Sequence, residues 1–184
     1  MVYAFVLAPV ALVLLWLMLS YNGFIRKRNL LKEAWSGIDV QLKRRYDLIP
    51  NLVESVKGYA SHERGLMEEI TNLRTRCMQT DTPAEKAKAE TDLSAGLKRL
   101  FAVAEAYPQL RASENFMDLQ KNLAEIEDQI QLARRYYNGT TRDFNIMVES
   151  FPSMIVARMF NFQKAEFFEI ETAGERETPV VTFS

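Results

Sequence analysis

Val2 to Leu19 is apolar apart from Pro9, and no charged side chain occurs from Met1 to Ile25. Eighteen helical residues at about 1.5 Å each reach ~27 Å, close to the hydrocarbon thickness of a bilayer. Pro9 is tolerable there, because its lost backbone bond is re-satisfied locally in a membrane helix. Trp16 and Tyr21 sit towards the far end, where amphipathic aromatics favour the interface. A cleaved signal peptide fits poorly: no Lys or Arg precedes the apolar run, and no small-x-small pair follows it at a sensible distance. No cysteine lies near position 20 for a lipoprotein anchor. Arg26, Lys27, Arg28 and Lys32 crowd the C-terminal flank, so the positive-inside rule places everything after residue 25 in the cytoplasm. The expected organisation is a transmembrane anchor over 1–25, a helical domain over 26–170 and a tail over 171–184.

Beyond the anchor the apolar spacing is helical. Leu31, Trp35, Ile38, Leu42, Tyr46, Ile49, Val53, Val56 and Ala60 step by three or four. Glu63 interrupts this stripe, and Leu66, Ile70, Leu73 and Cys77 resume it. The spacing predicts one long helix from the membrane to about Met78. Thr82-Pro83-Ala84-Glu85 reads as a start signal, with Thr at the N-cap, Pro at N1 and Glu at N3 of a capping box. That second helix buries Ala87, Leu93, Leu97, Leu100 and Ala104 and stops near Tyr107-Pro108. A third begins near Ser113 and carries Phe116, Leu119, Leu123, Ile126, Ile130, Ala133, Tyr137, Phe144, Val148 and Phe151, weakened at Gly139-Thr140-Thr141. Ser153 starts a short fourth helix that ends near Met159, with Asn161 as a left-handed cap. Pro179-Val-Val-Thr-Phe-Ser has strand-like chemistry but no visible partner. The fold class is all-α: an N-terminal transmembrane helix leading into a long kinked helix and an antiparallel bundle of three long helices plus a short fourth.

Chemistry is sparse. His62 is the one histidine, and His62-Glu63 lacks the second His of a zinc-protease helix. A di-iron bundle would need two Glu-x-x-His pairs. No phosphate-binding glycine loop or nucleophile elbow occurs. Cys77, the single cysteine, lies on the apolar stripe as a small core hydrophobe. A carboxylate-only metal site could draw on Glu125, Glu127 and Asp128 with Glu68 or Glu69, though such runs more often form solvated helix faces. Lys+Arg 23 against Asp+Glu 24 gives a net charge of −1, which speaks against a nucleic-acid partner. No cofactor is expected.

The stretch Leu42-Lys-Arg-Arg-Tyr-Asp-Leu-Ile-Pro50 combines a basic cluster with a helix breaker. Asp47 is in register to pair with Lys43 or Arg44, while Arg45 falls near the edge of the apolar stripe. Pro50 cannot donate to the Tyr46 carbonyl, and Ile49 cannot cap a new helix, so a kinked continuous helix is expected. The cations then form a solvated outer face, meet a partner or lipid, or send an Arg to the freed Tyr46 carbonyl.

Arg44-Arg45-Tyr46-Asp47-Leu48-Ile49-Pro50-Asn51-Leu52, with Val56-Lys57-Gly58-Tyr59 and His62-Glu63, strongly resembles the core motif of the LemA family. Glu105-Ala106-Tyr107-Pro108, Arg135-Tyr136-Tyr137-Asn138, Phe144-Asn145 and Phe151-Pro152 agree in order, and Tyr21-Asn22 and Ala34-Trp35-Ser36 match upstream. The likeness covers roughly residues 21–170. It implies a bacterial protein, held in the membrane by one N-terminal helix and largely α-helical. No catalytic residue carries over, and the family's gene neighbourhoods hint at envelope maintenance. Asp128 stands where Asn is common, and Asn161 where Gly is common.

Two functions follow as expectations. One is a non-enzymatic scaffold in the bacterial inner membrane that acts by self-association or by holding membrane protein partners. The other is a carboxylate-based metal-dependent hydrolase. A homo-oligomer is expected because Phe160, Phe162, Phe167 and Phe168, with Val180-Val181 and Phe183 beyond a polar spacer, are too many apolar groups for one subunit to bury.

Overall fold

The computed structural model describes residues 2–169 and contains no strand among them. The strand-like Pro179–Ser184 segment and the rest of the expected tail lie outside the described residues. Six α-helices follow one another: α1 (Val2–Lys57), α2 (Arg64–Gln79), α3 (Pro83–Ala104), α4 (Pro108–Arg111), α5 (Glu114–Glu149) and α6 (Ser153–Met159). The all-α expectation holds, with a long apolar helix running from the N-terminus into the bundle.

The chain forms two compact units, and α1 and α5 each contribute to both. One unit comprises the described residues up to Val40 with Ile130–Phe167. Its small core is Phe24, Phe144, Val156 and Ala157, against which Trp16, Leu17, Met147, Val148 and Phe162 pack. The Phe24 and Phe162 rings stack at 4.6 Å, and Phe144 meets Phe24 edge-on at 6.2 Å. Lys27 pairs with Asp143 at 3.1 Å. The other unit comprises Gln41–Gln129 with Phe168. Its interior holds Leu42, Ile49, Leu52 and Val56 of α1, Ile70 and Cys77 of α2, Leu93, Leu97 and Leu100 of α3, and Phe116, Leu123 and Ile126 of α5.

One boundary differs from the periodicity. The helix expected to reach Met78 ends at Lys57, and a 3-10 turn over Ser61–Glu63 separates it from α2. The Val56 carbonyl accepts from both Tyr59 and Ala60 as the backbone turns. Gly58, directly after the last residue of α1, favours the break there, since glycine costs about 1 kcal/mol in a helix interior relative to Ala. Helical spacing persists on both sides of the turn, so the stripe alone does not reveal it. Reversal also lets α2 bury Met67, Ile70 and Cys77.

The other ends follow local chemistry. At α3 the Thr82 hydroxyl accepts from the Glu85 amide and contacts its carboxylate at 3.1 Å. Beyond α6, Asn161 takes a left-handed φ of 55°. The Phe162 amide reaches back to the Ala157 carbonyl at 2.8 Å, which is a Schellman closure. Ser153 does not cap α6. Its hydroxyl instead lies 2.7 Å from the Met147 carbonyl and 2.9 Å from that of Ser150, satisfying the end of α5.

Candidate functional site

Successive helical residues point about 100° apart, so the motif on α1 divides between inside and outside. Arg45 and Tyr46 are buried, whereas Arg44, Asp47, Pro50 and Asn51 are exposed. Arg45 is three residues past Leu42 and four before Ile49, which places it on the stripe rather than at its edge. Inside, it meets Glu90 of α3, itself 1% exposed. Arg45 Nη1 lies 3.4 Å from Glu90 Oε2 and 3.0 Å from Glu127 of α5, and Nη2 donates to Ser94 at 2.8 Å. The Tyr46 hydroxyl donates to the other Glu90 oxygen, and the Cys77 thiol of α2 also hydrogen-bonds Glu90. Side chains of four helices therefore meet around the Arg45–Glu90 pair.

Burial pushes the Glu90 carboxyl above the usual carboxylate range. Arg45, the Tyr46 hydroxyl and the Cys77 thiol counter this, and Glu127 adds to it. The same burial, with Glu90 beside them, drives the Tyr46 phenol and Cys77 thiol upward. Both therefore stay protonated and donate. With its oxygens occupied by the chain's own donors and almost no surface, Glu90 is sealed from any substrate. The arrangement clamps helices together. A buried charge left without its partner costs several kcal/mol, so such a cluster favours one register over others.

Pro50 stands one turn beyond Tyr46, and α1 is helical straight through 47–51. The carbonyl it frees accepts from Arg74 Nε of α2 at 2.7 Å. An arginine does reach that carbonyl, but from the returning helix and not from the 43–45 cluster. Asp47 pairs with neither Lys43 nor Arg44, because Arg44 turns back to Gln41 at 3.2 Å. Arg44, Asp47, Glu125 and Asp128 instead line an open groove of about 740 Å³. Sequence reasoning missed Arg74 and Glu90. For Glu90 a signal existed: the stripe Ala87, Leu93, Leu97 skips a step, and Glu90 fills it.

The carboxylates weighed for a metal are not brought together as a set: only Glu125 and Asp128 share a groove. Glu69 pairs with Arg99, Glu127 with Arg45, and Glu68 lines a separate groove with Lys57 and Arg64. Among the described residues no group of three or more His, Cys, Asp and Glu side chains could hold a metal ion. The carboxylates named for the hydrolase reading thus form no such group.

Of the membrane-flanking cations, Lys27 is tied to Asp143 and the Arg28 guanidinium lies 5.6 Å from the Phe162 ring centre. Arg26 and Lys32 are exposed. Phe162 and Phe168 pack inside their own chain, leaving Phe160 at 49% and Phe167 at 37% exposure. The described part of the apolar run is also outward. Leu7, Val10, Leu12, Val13, Leu14, Leu15, Met18 and Leu19 are all at least half exposed, unlike a core helix.

The LemA family model matches residues 34–183. The chain belongs to the LemA family. Magnetosome protein MamQ 2 of Paramagnetospirillum magneticum is 27% identical over 192 aligned residues, covering 90% of this chain and 70% of that protein. Magnetosome protein MamQ of Magnetospirillum gryphiswaldense is 24% identical with the same coverage. Protein LemA of Metamycoplasma hominis is 26% identical over 152 residues, 80% of this chain and 68% of its own. Among its described residues this LemA-family member thus combines one helix long and apolar enough to cross a membrane with a buried Arg45–Glu90 cluster.

Proposed function

We propose that this LemA-family chain is a non-enzymatic, membrane-anchored scaffold, held in a bacterial inner membrane by α1 with its helical units in the cytoplasm. The observation that carries the reading is the outward apolar belt of α1 from Leu7 to Leu19. Eight Val, Leu and Met side chains at ~2 kcal/mol each would gain about 16 kcal/mol on leaving water, as much as the whole stability of an ordinary domain. Lipid supplies that environment. The buried Arg45–Glu90 cluster supports a mechanical role, because its polar groups are directed at one another. The relatives' names refer to a magnetosome and to the family, not to a reaction. A role in envelope assembly or maintenance follows, carried out by self-association of parallel anchors around the membrane normal or by holding another membrane protein.

Alkaline carbonate extraction of membranes containing the full chain tests the anchor. The protein is expected to stay with the lipid, and Leu12→Arg with Leu14→Arg to release it; full-length protein in the soluble fraction would sink the reading. Native mass spectrometry of the detergent-solubilised chain tests assembly, with a mass of several subunits expected and a monomer at micromolar concentration as the contrary result.

A further inference from the structure

α6 turns Val156 and Ala157 onto Phe24 and Phe144 and presents its other side outward. That side carries Ile155 at 48% and Met159 at 61% exposure, one turn apart. Phe160, at 49%, follows directly as the C-cap, and Phe151, in the turn that precedes α6, is at 79% the most exposed large hydrophobe among the described residues. Exposed apolar side chains grouped on and beside so short an element mark a contact surface.

Its neighbour identifies the contact. Trp16 and Leu17 of α1 pack on the same small core as α6. The Tyr21 ring lies 4.7 Å from that of Phe160 and 6.0 Å from that of Phe162. Tyr21 is two residues past Leu19, where the apolar run ends, so it stands about 3 Å further along the helix axis. A group in ring contact with Tyr21 is therefore at the depth where a spanning α1 leaves the hydrocarbon. Met18 and Leu19, at the same end of the α1 run, are exposed as well, and Arg158 of α6 is exposed beside Met159. An apolar face with a bordering cation, held at that depth, has the chemistry of a helix lying in the membrane interface.

We propose that α6 lies in the interface plane of the membrane that α1 crosses, with Phe151, Ile155, Met159 and Phe160 dipping into the acyl boundary and Arg158 among the lipid phosphates. The proposal rests on the spanning reading of α1 and adds a second, in-plane attachment. Together they would fix how the first unit is oriented on the bilayer, which a single helix leaves free to swivel.

The test uses the full chain in vesicles of phosphatidylcholine and phosphatidylglycerol, with phosphatidylcholine brominated near the glycerol end of its acyl chains as quencher. In a Trp35→Phe background the native Trp16 reports on the anchor. In a Trp16→Phe, Trp35→Phe background, Met159→Trp reports on α6, and Ile155→Trp repeats the measurement if that variant folds poorly. The introduced tryptophan is expected to lose about half of its emission to bromolipid, as a group ~5–10 Å into the boundary should. Quenching of Trp16 without quenching at position 159 or 155 would overturn the proposal and leave the anchor standing. Quenching of neither would overturn both. A tryptophan at 159 shielded from aqueous acrylamide yet untouched by bromolipid would mean that a second copy covers the face, and would also overturn it.

Discussion

Arg74 Nε donates to the backbone carbonyl of Tyr46 at 2.7 Å, and this is the carbonyl that Pro50 leaves without its helical donor. The contact explains how a proline sits inside α1 without a loop. It also joins α1 to α2, whose return is made at the turn after Gly58.

Arg74→Met should orphan that part-buried carbonyl and lower stability by about 1–3 kcal/mol. In a Pro50→Ala background the restored amide takes over, and the same change should cost clearly less. Urea unfolding of the full chain in detergent measures both; equal costs in the two backgrounds would show that the proline and the arginine are independent.

Arg45→Met leaves Glu90 buried without its cation, and a loss of about 3–5 kcal/mol is expected. Adding Glu90→Met removes the stranded carboxyl and should recover most of it, since two apolar side chains of similar volume fill the space. Thermal unfolding by circular dichroism distinguishes this from simple additivity, in which the double variant is worse than either single one.

The raised Glu90 carboxyl also sets a pH dependence. Burial is the main cause of the rise, so the folded chain holds that proton where the unfolded chain has released it. Stability from this group is fully present below the ordinary carboxylate range and declines as pH climbs to the raised value. The stability of the wild type relative to Glu90→Gln should therefore fall across that window in urea titrations at several pH values. A difference that grows with pH would contradict the assignment.

A reporter active only outside the cytoplasm, fused after Ser184, should be silent, and one active inside should work. Arg26→Gln with Lys32→Gln should weaken this bias without touching the Lys27–Asp143 pair. An active external reporter on the unaltered chain would reverse the orientation.

What the sequence determined by itself was whatever depends on near neighbours in the chain. The Thr82-Pro83-Glu85 start of α3 and the left-handed Asn161 after α6 are satisfied by backbone groups within five residues, so their chemistry is complete locally. The apolar run before Arg26 and the stripes of α3 and α5 are likewise set by residue type and period. Tertiary structure decided the rest. Whether Arg45 was a solvated cation or a buried one depended on Glu90, 45 positions away, and on the reversal after Gly58 that brings α2 and α3 back along α1. The same reversal chose Arg74, 28 residues on, as donor to Tyr46. A helical period states which face turns inward but not what waits there, because the partner's distance along the chain bears no relation to its distance in space. A charged residue on that face is tolerated only when the packed helices deliver its counter-charge.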